Sequence, residues 1–158
     1  MSDPIYLSTI GVQMFYATEA TAGTRPTSGY TEIKGIKSTP ALTATPDSLE
    51  TTTMNETEFK TYIPGLKDLG GSLEFTFNLS QDLKDTWDTL LTAYATAKAA
   101  SKAMWFCITV PGLTNAVYFK GIPSAMGMPG MGVNAVAEST NTITPTNAPE
   151  WYARPTSA

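Results

Sequence analysis

The sequence predicts a mainly β fold, a β-sandwich or open barrel of about seven strands flanked by one α-helix. Threonine recurs throughout the chain and favours extended backbone, and short runs alternate between apolar and polar residues, as strands with one buried face do. A single segment shows the helical period instead. Because the chain has 158 residues, we expect one domain, residues 1–158, with a hydrophobic core of its own.

The clearest strand lies between residues 72 and 79, where every second side chain is apolar. Leu73, Phe75 and Phe77 share one face, and the opposite face is polar. The other strands are predicted from shorter alternating or apolar runs bounded by turn residues. They cover residues 12–16, 30–36, 103–110, 116–122 and 133–144. The tail that follows, residues 145–158, is interrupted by prolines and is expected to be extended.

The helix is predicted over about residues 81–100. Ser80 is placed as its N-cap, because a serine hydroxyl accepts hydrogen bonds from the first free N–H groups of a helix. The apolar residues at helical spacing are Leu83, Trp87, Leu90, Leu91 and Tyr94. They form one stripe that would pack on the sheet.

Carboxylate pairs at the start of this helix are the first enzymatic possibility. Asp82, Asp85 and Asp88 follow one another at i, i+3 spacing. General acid–base catalysis, however, requires one of two carboxylates to be desolvated. These three lie on the polar face of a helix start, where the helix dipole already favours acidic residues, as it favours Lys98 and Lys102 at the helix end. The electrostatic interpretation is therefore preferred.

Composition excludes most other chemistry. The formal net charge is −4 and histidine is absent, so neither a basic surface for nucleic acid nor a zinc site of His and Cys is expected. The single cysteine, Cys107, sits in an apolar run and is predicted to be buried and inert. A serine or cysteine nucleophile would lack its usual base, and no phosphate-binding glycine pattern is present. We expect no catalytic, cofactor-binding or metal-binding residue and no enzymatic activity.

The N-terminal residues show no signal-peptide pattern. They carry Asp3 and no basic segment followed by a long apolar core. No apolar run in the sequence reaches membrane-spanning length. We therefore expect synthesis and folding in a reducing cytoplasm and no membrane partner.

Aromatic and methionine residues allow more than one interpretation. Trp87 and Trp105 fall on the predicted helix and on a predicted strand, and both are expected in the core. Trp151 and Tyr152 stand in the Pro-flanked tail and are expected to anchor this terminus, either on its own domain or on a neighbour. The Met-, Gly- and Pro-rich run 121–132 is either a mobile loop or an adaptable contact surface.

Residues 40–70 form a long polar segment, rich in threonine, with apolar side chains spaced along it. A structureless loop of this length is uncommon in a compact domain and is usually functional or ordered by a partner. Its two β-prone pieces, 49–53 and 58–62, could form a projecting hairpin. The segment is either a plain surface hairpin or an arm that orders on assembly.

Four stretches, in a fixed order along the chain, carry a family resemblance. They are a threonine run (LETTT, 49–53), the segment FKTYIPGLKDLG (59–70), the alternating strand GSLEFTFNLS (71–80) and a helix that begins QDLKDTWDTLL (81–91). In this order they resemble the major tail tube protein of long, non-contractile-tailed (siphovirus-type) bacteriophages. The resemblance extends from about residue 11 to about residue 152 and is sharpest over 46–91.

The resemblance implies a structural virion protein of the phage tail, made in the bacterial host cytoplasm. Hexameric rings of the chain would stack into the tail tube, a conduit for genome DNA, with an inner β-barrel shared by the subunits. The partners would be other copies of the chain, together with tape-measure, tail terminator and distal tail proteins. Genome DNA must pass without sticking, and the acidic net charge agrees with that requirement.

The resemblance also assigns roles to particular residues. Contacts between subunits or rings are expected at Leu49, Thr51, Thr53, Glu56, Phe59, Tyr62, Trp151 and Tyr152. Glu74 and Thr76, on the polar face of the clearest strand, are expected to face the lumen. Two alternatives stay open. A tail terminator or head–tail joining protein would form rings without polymerising, and a β-sandwich carbohydrate-binding module would use Trp151 and Tyr152.

Overall fold

A computed structural model describes residues 7–43, 45–68 and 71–155 of the chain. Within these ranges the chain forms ten strands and one helix. In chain order they are β1 Gln13–Thr18, β2 Thr31–Glu32, β3 Ile36–Ser38, β4 Thr45–Glu50, β5 Tyr62–Asp68, β6 Leu73–Asn78, α1 Gln81–Ala99, β7 Met104–Thr109, β8 Asn115–Pro123, β9 Glu138–Pro145 and β10 Glu150–Ala153. The predicted class, mainly β with one helix, is confirmed.

Seven strands form one continuous antiparallel path, in the order β2-β1-β7-β8-β9-β6-β3. Its two edge strands, β2 and β3, are short and consecutive in sequence. Because the link of residues 33–35 between them reaches only about 14 Å, the two ends of the path lie close together and the sheet curls into a half-barrel. Short edge strands of this kind limit unwanted pairing with other chains.

The inner face of the half-barrel, which packs against α1, carries the main core. Leu73, Phe75 and Phe77 of β6 point to this face, and all three are buried, as the alternation predicts. The predicted helical stripe is buried at Leu83, Trp87 and Leu90 and half-buried at Leu91 and Tyr94. The indole N–H of Trp87 donates to the Ser124 carbonyl at 2.9 Å, so this buried polar group is satisfied.

Both ends of α1 are capped. The Ser80 hydroxyl accepts a backbone N–H of the first turn at 3.1 Å, which confirms the predicted N-cap. At the other end, the Ser101 N–H donates to the Lys98 carbonyl at 3.0 Å and the Lys102 N–H to the Ala97 carbonyl at 2.8 Å. This is a Schellman turn, and Ser101 has the left-handed φ of 59° that glycine usually supplies.

The outer face of the sheet has two halves of different character. Over β1, β7 and β8 it carries a second buried cluster, whose members are Ala17, Tyr30, Trp105, Cys107, Ala116 and Tyr118. Over β6 and β9 the outer face is polar. Cys107 is fully buried, as predicted, and burial raises the pKa of its thiol to about 11. The thiolate that would react is therefore scarce at neutral pH.

Two predicted strands of the main sheet are interrupted by residues with positive φ. The segment 30–36 is not one strand, because Gly35 takes a φ of 85° and turns the chain between β2 and β3. The last predicted strand, 133–144, begins only at Glu138. Asn134 takes a φ of 58°, which interrupts the extended conformation before that point.

The C-terminal tail, described as far as residue 155, is more structured than the extended segment predicted over 145–158, whose last three residues lie outside the described ranges. Its strand β10 pairs with β8, on the same edge that β9 uses. Between β9 and β10 the Asn147 side chain accepts the Lys120 N–H at 2.7 Å. The Asn147 side chain thus supplies a hydrogen bond to β8 between the parts of β8 that pair with β9 and with β10. The chain from β9 to β10 can therefore follow β8 along its length.

Candidate assembly surfaces

The chain between β3 and β6 forms a hairpin, residues 45–68, which we call the arm. Among the described residues its strands β4 and β5 pair with each other and not with the main sheet. Leu49 lies opposite Ile63, both are half-exposed, and Leu66 is 89% exposed. An isolated two-stranded hairpin is marginally stable in water. The arm therefore has no sheet or helix packed over its apolar side chains within the described residues, and a hairpin of this kind needs such packing to be stable.

Threonine side chains organise the tip of the arm. The Thr61 N–H donates to Thr52 Oγ1 at 2.9 Å, and the Thr61 hydroxyl donates to Glu56 Oε2 at 3.1 Å. The Thr51 N–H donates to the Thr61 carbonyl at 2.7 Å. These bonds replace strand pairing near the tip, so β4 and β5 lie further from it than the sequence predicts. These hydrogen bonds connect the two sides of the tip to each other.

The residues predicted at subunit contacts fall in two places. Six lie on the arm and are exposed there: Leu49, Thr51, Thr53, Glu56, Phe59 and Tyr62. Of these, Phe59 is the most exposed apolar side chain, at 80%. The other two, Trp151 and Tyr152, lie on β10 beside β8. The first six residues therefore lie together on the arm, and the last two lie on a different element. The role of all eight in subunit contacts stays a prediction.

Tyr152 is held by a residue that no sequence pattern singles out. The guanidinium of Arg25, in the loop between β1 and β2, lies 4.5 Å from the Tyr118 ring centre and 4.2 Å from that of Tyr152. The Tyr118 hydroxyl also donates to the Ala153 carbonyl at 2.6 Å. The guanidinium thus occupies one face of the Tyr152 ring, so that face is not free to stack on a sugar, whereas Trp151 is exposed.

The polar half of the outer face is a row of hydroxyl groups with one exposed acid. Its members are Glu74, Thr76, Thr140, Thr142 and Thr144. Nearby, Lys37 and Glu138 form an ion pair. The two residues predicted to face a lumen, Glu74 and Thr76, therefore share one polar surface on the side of the sheet away from the helix.

A cleft of about 370 Å³, which we call the basic cleft, lies at the C-terminal end of α1. Its charged lining consists of Lys98, Lys102, Lys120 and Glu19, and its apolar lining includes Tyr94, Met104 and Ile122. Three lysines and one glutamate line it, so the cleft carries a net positive charge. The sequence marks Lys98 and Lys102 only as helix-end residues, because the cleft joins separate parts of the chain.

Glu19, which the sequence does not single out, is only 5% exposed, and both of its carboxylate oxygens accept hydrogen bonds. Its Oε1 accepts the N–H groups of Gly23 at 3.2 Å and Ala103 at 2.8 Å, and its Oε2 accepts the Trp105 indole N–H at 3.0 Å. Burial raises the pKa of Glu19, but these hydrogen bonds and the charge of Lys120 outweigh burial and lower it. Glu19 is thus an ionised structural group, unlike the raised-pKa acid of a catalytic pair.

The described part of the chain contains neither a candidate metal cluster nor a membrane-spanning helix. Within it, no group of three or more His, Cys, Asp and Glu side chains is placed to hold a metal ion. The helix found there is neither long enough nor apolar enough to cross a membrane. The surfaces that stand out are the arm, the hydroxyl row, β10 and the basic cleft.

No family model matches the sequence, and no curated protein matches it. Solved structures do. A chain of the anti-feeding prophage (AFP) baseplate, solved by cryo-electron microscopy with six-fold symmetrisation, is 14% identical with a TM-score of 0.62, over 97% of this chain and 98% of that one. A chain of the tail of an empty GTA particle, solved by helical refinement with C6 symmetry, is 11% identical with a TM-score of 0.55, over 90% and 96%.

The three chains share one fold. The likeness spans nearly the whole length of each, so it includes the sheet and helix together. At these identities it establishes architecture, and function has to be argued from surfaces.

Proposed function

We propose that this chain is a structural subunit of a phage-type tail, and that its copies form hexameric rings stacked as the tail tube, a conduit for genome DNA. The shared fold supports the proposal, because both similar chains belong to particles of six-fold symmetry, a prophage baseplate and a GTA tail. The observation that carries the finer proposal is the arm.

The arm leaves apolar side chains in water that a second subunit would cover. The most exposed are Met54, Leu66 and Phe59. Leu49 lies opposite Ile63 on the neighbouring strand. Burying one such side chain contributes about 1.5–3 kcal/mol, and several together offset the entropic cost of association. Since the arm would meet a different surface of the next copy, the contact is head-to-tail, which closes into rings or continues as a tube.

Glu74 and Thr76 would line the channel. Phosphate contacts with cations dominate affinity for DNA. A surface of hydroxyl groups and an exposed carboxylate supplies no such cation, and Lys37 beside it is paired with Glu138. DNA would therefore slide past this surface without sticking.

The remaining assignments follow from this role. Trp151 and Tyr152 on β10 would form a second subunit contact. Tape-measure, tail terminator and distal tail proteins would be the further partners. The protein would be a virion component, made in the host cytoplasm and free of enzymatic activity and cofactors.

Electron microscopy of the purified chain at rising concentration tests the proposal, with sedimentation velocity on the same samples. Long tubes of stacked rings are the expected result. Isolated rings that never stack would favour a tail terminator or head–tail joining protein, and the likeness to a baseplate chain is the observation that favours such a ring. A chain that stays monomeric at every concentration would contradict both.

A further inference from the structure

The basic cleft holds more positive than negative charge, because Lys98, Lys102 and Lys120 line it with Glu19 as their one acidic neighbour. Lys98 and Lys102 lie at the end of α1, and Lys120 enters from β8 with its ammonium group 5.6 Å from the Trp105 ring centre. Within the described ranges, ion pairs join Lys37 to Glu138 and Lys84 to Asp88 and involve none of these three lysines. Neighbouring like charges repel each other, and an incoming anion relieves that repulsion.

The arm carries the opposite charge. Residues 45–68 contain five carboxylates and two lysines, a net charge of −3. At the tip, Glu56 is held by the Thr61 hydroxyl, and Glu58 stands beside the exposed Phe59. The threonine hydrogen bonds across the tip reduce the conformational entropy that docking costs, compared with a loop that lacks them.

We infer that the basic cleft receives the arm tip of a second copy, with Glu56 and Glu58 against the lysines and Phe59 on the apolar lining. The inference rests on the proposed self-assembly and names the surface that the arm contacts. The negative charge of the arm tip complements the positive charge of the cleft. The cleft also has both charged and apolar lining, which suits a tip that presents carboxylates beside an aromatic ring. The arm and the cleft are different surfaces of one chain. Each subunit would therefore place its arm in the cleft of one neighbour and bind the arm of another neighbour in its own cleft.

Charge reversal in the full chain tests the contact. The cleft variant Lys98→Glu/Lys102→Glu and the tip variant Glu56→Lys/Glu58→Lys should each raise the concentration needed for assembly by about ten-fold or more. Combined in one chain they should restore assembly, because each reversed tip then meets a reversed cleft. The two variants mixed as separate chains should also assemble, since they can alternate around an even-numbered ring. Thermal unfolding of each monomer checks that it is folded.

Matched controls change the same charges elsewhere. Lys34→Glu alters an exposed lysine outside the cleft, and Asp82→Lys/Asp85→Lys alters an exposed acid pair at the start of α1. Both should leave the assembly concentration unchanged. If the aspartate variant blocks assembly and the cleft variant rescues it, the start of α1 fills the cleft and the inference is wrong.

A cysteine pair separates the two proposals. Glu58→Cys with Lys102→Cys should form disulfides between subunits on mild oxidation of assembled material, while the buried Cys107 does not compete. If tubes or rings form without this crosslink, and the charge-reversal variants assemble at the wild-type concentration, the arm–cleft contact is wrong and the proposed function still stands. A wild-type chain that never assembles would overturn both.

Discussion

Glu19 and Trp105 stand 86 residues apart in the sequence, yet the Glu19 carboxylate accepts the Trp105 indole N–H at 3.0 Å. The same carboxylate accepts the Ala103 N–H at 2.8 Å. Both side chains are nearly buried. One ionised group at the end of β1 therefore fastens the start of β7, where the chain returns from α1 to the sheet.

Replacing Glu19 by Gln should lower the free energy of unfolding at neutral pH by about 1–3 kcal/mol, because an amide cannot serve three N–H donors. Folding lowers the pKa of Glu19, so its contribution is fully present above the unfolded pKa of about 4.3 and is lost as the pH falls through the folded pKa. Urea unfolding at several pH values should show the difference between wild type and variant shrinking in acid. The exposed Glu74→Gln is the control, and a difference that does not change with pH would refute this account.

Ser101→Gly should raise the free energy of unfolding by about 0.5–1 kcal/mol. The residue sits in the Schellman turn with a φ of 59°, and glycine adopts this conformation without the steric cost that a Cβ brings. Thermal unfolding measures the gain. Ser101→Ala keeps the Cβ and should show no gain, and an equal gain in both variants would mean that backbone conformation is not the cause.

Gly121→Ala should destabilise the fold by about 1–3 kcal/mol through overpacking. A Cβ at Gly121 would lie 2.5 Å from Ile143 Cγ2 and 3.3 Å from the Thr144 carbonyl oxygen. Gly127→Ala is the matched control, since nothing lies within 4 Å of its added Cβ. Denaturant unfolding of the two variants should separate them clearly, and equal stability would show that β8 and β9 can move apart without loss.

Phe59→Ser/Leu66→Ser should weaken assembly while leaving the monomer as stable as wild type, within about 0.5 kcal/mol. Both side chains are exposed on the arm, so removing them costs the isolated domain little. Sedimentation velocity and thermal unfolding measure the two effects separately. Val133→Ser, at an exposed position outside the arm, should change neither quantity. Tubes that form as readily from the arm variant would exclude an assembly role for these side chains.

Arg25→Gln should loosen β10 without unfolding the sheet. The guanidinium between the Tyr118 and Tyr152 rings contributes about 0.5–2 kcal/mol by cation–π interaction. Hydrogen exchange at residues 150–153 should speed up, and exchange in β7 should not change. The exposed Lys34→Gln serves as the control. Unchanged exchange in β10 would show that its pairing with β8 is sufficient by itself.

Local sequence patterns were sufficient to predict the elements whose conformation depends on residues close to them in the chain. The alternation around Leu73, Phe75 and Phe77 predicts a strand with one buried face, and Ser80 predicts the start of the helix, because both depend on neighbouring side chains and backbone. The break at Gly35 was missed for the opposite reason. Its φ of 85° depends on where β2 and β3 find partners at the two ends of the sheet.

The candidate surfaces divide in the same way. The arm could be anticipated from the length, threonine content and spaced apolar residues of 40–70. The Arg25 contact and the basic cleft could not, since each combines a loop, a strand and another element that only the folded sheet brings together.

By itself, therefore, the sequence determined the class of fold, the helix, the buried face of β6 and the presence of an arm, because these follow from periodicity and local hydrogen bonding. Only the tertiary structure decided which strands are edges, how the tail lies on β8, and that Glu19 and three lysines share one cleft. Those features depend on long-range strand pairing, and pairing is decided by how the whole chain buries its apolar surface.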